Sequence, residues 1–332
     1  MPTERMKKLV GCVGALRTMT NPDHSINLDR QRRHLEWVIG EGLVEGSAVI
    51  LIVAGGSEGY FMNDKEWEAE VEMAAETADG RVPLCAGIFE LSAREAVRKA
   101  KIAASYGVEF VQVSPPHYMV PIDAEVLYHY QMINDGADIG ILLYATPWAM
   151  PQPGWNFTPK ILDRLVELEN VEGLKWASFD YEQWLTVTRL FRDRINLINN
   201  GHSQLSLAPK LGFKGFINSD GLVAPRLVLH IYDLWKKKKY DELDELLLNL
   251  YIDPFLGLSK PEDVTWRSMG EGPNVRMGME SLGMNMGPSF PAQLPLSDDS
   301  WRQRGEAVKS SGLKEWVDWK DEYAEADQAA DD

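Results

Sequence analysis

Two cysteines in 332 residues, Cys12 and Cys85, are too few for a disulfide framework and lack the spacing of a zinc site. Basic residues are scarce beside acidic ones: 34 Lys+Arg stand against 50 Asp+Glu, a formal net charge of −16. That balance argues against a nucleic-acid partner, which selects a basic face, and against an anionic membrane surface. It does not exclude a small anionic substrate, since a local pocket can oppose the global field. No run reaches the roughly 18 apolar residues of a membrane span. Residues 1–8 are polar and charged, unlike a secretory signal, so the expected location is cytoplasmic. The six histidines show no metal-ligand spacing. Gly55-Gly56-x-x-Gly59 is not followed by the Gly-Lys-Ser/Thr of a phosphate loop. Neither a metal nor a cofactor is expected.

What is present is alternation. Short apolar runs at residues 9–16, 47–53, 83–88, 110–113, 140–144, 171–175, 195–198 and 215–217 read as strands. Between them, residues 29–41, 63–78, 92–106, 124–133, 159–168, 181–191 and 203–211 carry helical spacing, and an eighth helix opens at Arg226. Asn63 with Glu66 three residues later is a capping-box signature, and Ser92 with Glu95 repeats it. Continuous apolar runs such as Ser-Ala-Val-Ile-Leu-Ile-Val at 47–53 suit strands buried on both faces. Eight βα units predict a parallel sheet closed into a (β/α)8 barrel, the TIM-barrel architecture, over residues 1–255. An open doubly wound sheet is the structural alternative. After residue 255 prolines 261, 273, 288, 291 and 295 break the pattern, and residues 256–332 read as a C-terminal helical extension with an acidic tail.

In such a barrel reacting groups sit at the C-terminal ends of the strands. The second strand ends in Ala54-Gly55-Gly56-Ser57-Glu58-Gly59, the fourth in Ser114-Pro115-Pro116-His117-Tyr118, the fifth in Tyr144-Ala145-Thr146-Pro147 and the sixth in Gly173-Leu174-Lys175. A lysine ending an apolar strand points into the mouth, where partial desolvation favours the neutral amine that attacks a carbonyl. The plain alternative is a lysine that reaches solvent.

These strand ends resemble the dihydrodipicolinate synthase/N-acetylneuraminate lyase family of class I aldolases over roughly residues 11–295. Ala15-Leu16-Arg17-Thr18-Met19 resembles the family's A-L-x-T-P, and Ala54-Gly55-Gly56-Ser57-Glu58 its G-T-T-G-E. Pro116-His117-Tyr118 resembles P-Y-Y, and Tyr144-Ala145-Thr146-Pro147 resembles Y-N-x-P. Leu174-Lys175-Trp176 resembles the Schiff-base segment, and Gly215-Phe216-Ile217-Asn218 resembles G-x-I-S. The resemblance implies that Lys175 carries a covalent imine with a small 2-keto acid and that Tyr144 shuttles protons with support from Tyr118. It implies that the backbone N–H groups of the Gly55, Gly56 and Ser57 turn hold the carboxylate, and that the Ile217 carbonyl lies near the imine. It also implies a homo-tetramer or homo-dimer. For both tyrosines a simple packing role is the alternative.

The departures bear on substrate. Gly55 and Gly56 replace the turn threonines, so no hydroxyl bridges the tyrosines there unless Ser57 substitutes. The arginine that grips a second carboxylate in dihydrodipicolinate synthase falls near Ala149, with no arginine close by. The aromatic, proline-rich loop 148–157, with Trp176 and Phe179, suggests an apolar second-substrate pocket suited to a hydrophobic or aromatic aldehyde. The expected activity is therefore a pyruvate-type aldolase or hydratase-aldolase. A 2-keto-3-deoxy sugar acid dehydratase or aldolase, and a catalytically silent keto-acid-binding barrel, are the alternatives.

Overall fold

The structure, a computed structural model, describes residues 2–145, 147, 150–201, 204–218, 222–250, 272–320, 322, 323 and 325. Expectations resting on Thr146, Trp148, Ala149, His202, Ser203, Pro261, the 255/256 boundary and the tail beyond residue 325 lie outside them.

Eight short strands form one closed barrel: β1 (Gly11–Ala15), β2 (Ala48–Ile52), β3 (Leu84–Ile88), β4 (Phe110–Val113), β5 (Gly140–Tyr144), β6 (Val171–Trp176), β7 (Asn196–Asn199) and β8 (Gly215–Ile217). Every neighbouring pair is parallel, and β8 closes on β1 through Cys12↔Phe216 and Val13↔Ile217. The strands read as unbroken apolar runs because both of their faces are covered. One face packs beneath the helices. The other fills the barrel with Leu9, Val13, Val49, Leu51, Cys85, Phe110, Leu142 and Ile198. The interior is thus a packed plug, and the open space lies above it at the C-terminal rim.

The surrounding helices are α1 (Glu4–Lys8), α2 (Leu28–Gly40), α3 (Asp64–Ala78), α4 (Ala93–Ser105), α5 (Asp123–Gly136), α6 (Pro159–Leu165) and α7 (Tyr181–Phe191). Asn63 caps α3 in the expected capping box, its side chain accepting from Glu66 N–H while Glu66 accepts from Asn63 N–H. Ser92 stands at the N-cap of α4 without a side-chain capping bond. The seventh connection departs from expectation. Residues 203–211 read as a helix, but the described residues 204–211 make turns and a 3-10 segment, Pro209–Leu211. Pro209 has no N–H to extend a helix from before it, and Gly212 at φ +99° turns the chain out after it.

Beyond β8 come α8 (Pro225–Lys237), α9 (Tyr240–Leu250), α10 (Gly272–Glu280) and α11 (Asp298–Ser310). In the acidic tail Leu313–Trp316 form a 3-10 turn, and the described residues 322, 323 and 325 are helical after a length of extended chain, residues 317–320. That chain docks on α2: Trp37 Nε1 donates to the Asp318 carbonyl at 3.1 Å, and Trp319 meets Trp37 edge-on at 5.2 Å.

Candidate active site

Side chains alternate along a strand, so neighbours face opposite sides. On β6 a side chain at Gly173 would meet Leu9 and Leu142, both interior residues, which puts Gly173 and Lys175 on the inner face. Leu174 and Trp176 then face outward into the layer beneath the helices, where both belong to the outer core. Lys175 is 8 % exposed, and its Nζ lies 4.1 Å from the centroid of the Tyr144 ring, itself 5 % exposed. The two are register partners on adjacent strands, which fixes their approach. In its protonated form the amine is attracted to the aromatic face by the ring quadrupole. Cys85, also on the inner wall, has its thiol pushed up by burial while the Lys175 charge works in the opposite direction. The thiol is therefore not a nucleophile at neutral pH.

The turn after β2 folds across the mouth. Gly55–Ser57 forms one 3-10 turn and Gly59–Phe61 another, hinged at Glu58 in the left-handed region at φ 59°. Ser57 N–H and Gly59 N–H both donate to the Ala54 carbonyl, at 3.1 and 3.0 Å. The two glycines stand between two reactive groups. A Cβ at Gly55 would lie 3.8 Å from Tyr144 Oη and 3.7 Å from Phe89, an ordinary contact. At Gly56 it would lie 2.8 Å from Arg17 Nη1 and 3.0 Å from Ala15 Cβ, which is too close. Arg17, 3 % exposed, donates to the Gly56 carbonyl, and the Thr18 hydroxyl donates to the Ser57 carbonyl. Behind Thr18, at 3.4 Å, lies the fully buried Glu70 carboxyl. Burial raises its pKa to about 8, against hydrogen bonds that lower it and a Glu58 charge that raises it further.

Glu58 has a second role. Its Oε2 lies 2.8 Å from Arg276 Nη2, a pair whose side chains are 5 % and 3 % exposed. Arg276 also donates to the Met286 carbonyl at 2.9 Å, and Thr20 N–H donates to the same carbonyl at 2.9 Å. A Cβ at Gly272 would collide with Glu58 Oε1, so α10 approaches the turn by its glycine N-terminus. This part of the C-terminal extension thus clasps the loops after β1 and β2.

The remaining expected residues fall as follows. Ile217 ends β8 and packs on the interior cluster. The Ser57 hydroxyl points down towards the Leu51 carbonyl, 3.5 Å away, and so does not stand in for the missing turn threonines. Tyr118 is 80 % exposed, apart from the buried Lys175–Tyr144 pair, in a run with exposed Met119, Val120 and Ile122. Of the residues expected around an apolar pocket, Trp148 lies outside the described residues and Trp176 does not face the mouth. Trp176 is turned outward, its Nε1 donating to the Trp184 carbonyl at 3.2 Å, and Phe179 is 68 % exposed. Aromatic surface comes instead from Phe89 beside Gly55, with Tyr60 edge-on to it at 5.9 Å and Phe61 against Tyr60 at 4.8 Å. Arg17, Gln112 and Glu70 were missed as site residues. Arg17 and Gln112 each lie two positions along from an inward-facing apolar residue, Ala15 and Phe110, which is the signal that finds them.

Among the described residues no cluster of three or more His, Cys, Asp or Glu could hold a metal, and no helix is long and apolar enough to cross a membrane. A closed parallel barrel with a buried lysine and tyrosine at the C-terminal rim is the layout of a barrel enzyme. The Dihydrodipicolinate synthetase family profile matches residues 8–266, and this chain belongs to that family. It is 30% identical over 307 residues to the 4-hydroxy-tetrahydrodipicolinate synthase of Methanospirillum hungatei, covering 90% of this chain and 97% of the other. It is 28% identical over 228 residues to the enzyme of the same name from Clostridium novyi, covering 69% and 75%. Among solved structures, the dihydrodipicolinate synthase of Acinetobacter baumannii complexed with pyruvate superposes with TM-score 0.80 at 20% identity, over 92% of this chain and 99% of the other. The N-acetylneuraminate lyase of Mycoplasma synoviae gives TM-score 0.75 at 21% identity, over 92% and 98%. At these identities the superpositions establish the fold; the family match makes the chain a lyase.

Proposed function

We propose that Lys175 forms a Schiff base with a small 2-keto acid and that the enzyme is a pyruvate-type aldolase or hydratase-aldolase. The observation that carries this reading is the buried Lys175 amine over the Tyr144 ring, beside a glycine turn at the rim of the barrel. The amine adds to the keto carbon, and the Tyr144 hydroxyl, next to Gly55, passes protons at the reacting oxygen. The imine then draws electrons from C3, so a C–C bond to an aldehyde carbon forms or breaks, or a β-hydroxyl leaves as water. The keto-acid carboxylate lies against the turn of Gly55, Gly56 and Ser57, where the Ser57 N–H is already given to the Ala54 carbonyl, and faces the Arg17 guanidinium, a forked donor suited to it. The Ile217 carbonyl borders the imine, and Tyr118, exposed and apart from the Lys175–Tyr144 pair of its own chain, supports the relay only within the homo-dimer or homo-tetramer proposed below.

No arginine occurs between Tyr144 and Asp163, which disfavours a second carboxylate at that edge and 4-hydroxy-tetrahydrodipicolinate synthase activity with it. Phe89 and Tyr60 favour a hydrophobic or aromatic aldehyde as the partner. We place the enzyme in the cytoplasm as a homo-dimer or homo-tetramer, without metal or dissociable cofactor. Incubation with pyruvate and borohydride, read by intact mass, tests the central step. The expected result is a mass gain of one reduced pyruvate, abolished by Lys175→Ala. Absence of any adduct with pyruvate and with longer 2-keto acids overturns it.

A further inference from the structure

Gln112 sits in the middle of an otherwise apolar strand, Phe-Val-Gln-Val, and is fully buried. Phe110, two residues earlier, belongs to the interior plug, so the alternation of the strand turns Gln112 inward as well. Neither its Oε1 nor its Nε2 has a hydrogen-bond partner among the described residues. Ser114, two residues further along the same face, repeats the pattern at the rim: it is 4 % exposed with an unpartnered Oγ. A buried primary amide with both ends unpaired is costly and uncommon in a native protein.

Its level in the barrel says what it faces. The register descends around the barrel, from Ala15 at the end of β1 through Leu51, Cys85 and Phe110 to Gly140 at the start of β5. That is about one residue per strand, as the tilt of an eight-stranded barrel requires. Gln112 pairs through Leu142 to Gly173, so the residue of β6 at its own height is two further on, Lys175. The same step from Lys175 through Ile198 and Gly215 reaches Ile217 on β8, and the reverse step from Gln112 through Gly87, with the β2–β3 register carried one residue past Ile52↔Ala86, reaches Leu51 on β2. Leu51 belongs to the interior cluster and Ile217 packs on it, as this assignment demands. Leu51, Gln112, Lys175 and Ile217 therefore make one four-residue layer from alternate strands. Below it lies the apolar plug of Leu9, Val13, Phe110 and Leu142, so a polar partner for the amide can come only from the layer itself or from the mouth above.

We propose that the Gln112 side-chain amide binds the oxygen that leaves when Lys175 becomes an imine. The proposal rests on the Schiff-base reading above. In that step the Nζ–C2 bond forms, the C2–O bond breaks, and the keto acid, neutral amine and one proton give iminium and water. The amide Nε2–H donates to the keto oxygen and then to the carbinolamine hydroxyl, and Oε1 accepts from the water as it departs. The return step, hydrolysis of the product imine, uses the same site in reverse.

The test compares the wild-type protein with Gln112→Met, which keeps the length of the side chain and removes both polar ends, and with Gln112→Glu as a second variant. Washout of 18O from the pyruvate carbonyl into solvent is followed by mass spectrometry with Lys175→Ala as background, alongside the rate of borohydride adduct formation and the thermal midpoint without ligand. The expected result for Gln112→Met is a fall of at least 10-fold in both rates, the same final adduct, and a midpoint equal to or above wild type, because an unpaired amide has been removed from the core. The opposed directions of rate and stability separate this role from a structural one. Rates within two-fold of wild type overturn the proposal, as does a lowered midpoint in both variants with losses no larger than the unfolded fraction. Wild type that gives no adduct removes the imine reading itself, a result distinct from a competent wild type whose Gln112→Met variant is indifferent.

Discussion

Replacing Glu70 by Gln isolates the most heavily perturbed carboxyl near the candidate site. Glu70 lies on α3 with no exposed surface, beside the Thr18 hydroxyl, the Gln31 side chain and the Val53 backbone, with the Glu58 charge close by. Burial is the largest influence and raises its pKa from 4.5 to about 8. A raised folded-state pKa gives stability that is complete below pH 4.5 and is lost as pH rises to 8, because across that window the unfolded chain is ionised while the folded one must keep its proton. The gap between 4.5 and about 8, at ~1.4 kcal/mol per pH unit, is worth about 5 kcal/mol, an upper figure once the site relaxes. Glutamine is neutral at every pH. Denaturant unfolding at pH 4.5 to 9 should therefore show wild type and Glu70→Gln equal at the acid end. The variant should gain steadily up to pH 8 and stay ahead by several kcal/mol above it. An ionised Glu70 also draws the Thr18 hydroxyl away from the Ser57 carbonyl, so the wild-type KM for the keto acid should rise through pH 8 and that of the variant should not. Stability curves that run parallel across the whole range would refute the buried neutral acid.

On the acid side the sign reverses: burial lowers His34 and His129 to about 4, so their contribution is present above pH 6.5 and lost as pH falls towards 4, and His129→Gln should flatten that limb in the same unfolding series. Arg276→Met strands the Glu58 carboxylate in a buried site and should cost about 3–5 kcal/mol of stability, whereas Glu58→Gln/Arg276→Met should recover much of it, as a double-mutant cycle by denaturant titration would show. Tyr144→Phe should fold normally and slow borohydride-trapped adduct formation by about 10²–10⁴, measured by intact mass.

The barrel is legible in the sequence because each strand is covered on both faces and so reads as a short unbroken apolar run. Helix starts are legible where the capping chemistry is local, as at Asn63 and Glu66, and the structure keeps that cap. The seventh helix is a misreading, because residues 203–211 have helical spacing, yet Pro209 and Gly212 permit only a 3-10 turn. Trp176 is misread as a pocket residue through a local inconsistency. Lys175 and Trp176 are neighbours on one strand and cannot both face the mouth; with Lys175 inward, Trp176 belongs to the outer core. The level of Gln112 is not legible at all, since height within a barrel follows from register, and register is set by pairing between strands rather than by any one of them.

The glycine turn and Arg17 explain each other. A side chain at residue 56 and the guanidinium compete for the same space, since the Cβ would lie 2.8 Å from Nη1, whereas at residue 55 the nearest atoms lie at 3.7 and 3.8 Å. The two glycines are therefore not equivalent losses of a hydroxyl. Gly55→Ala should leave stability within about 1 kcal/mol of wild type, and its methyl, in ordinary contact with Tyr144 Oη and Phe89, should raise the keto-acid KM less than Gly56→Ala does. Gly56→Ala overpacks against Ala15 and Arg17, a cost of about 1–3 kcal/mol, and displaces the cation that faces the carboxylate. Its KM for pyruvate should rise with little change in kcat, since the displaced contact is made equally in ground and transition states. Arg17→Lys, which keeps the charge but loses the forked donor geometry, should raise KM in the same way. If Gly55→Ala and Gly56→Ala behave alike in steady-state assays, Arg17 is only a brace for the turn and the carboxylate is held elsewhere.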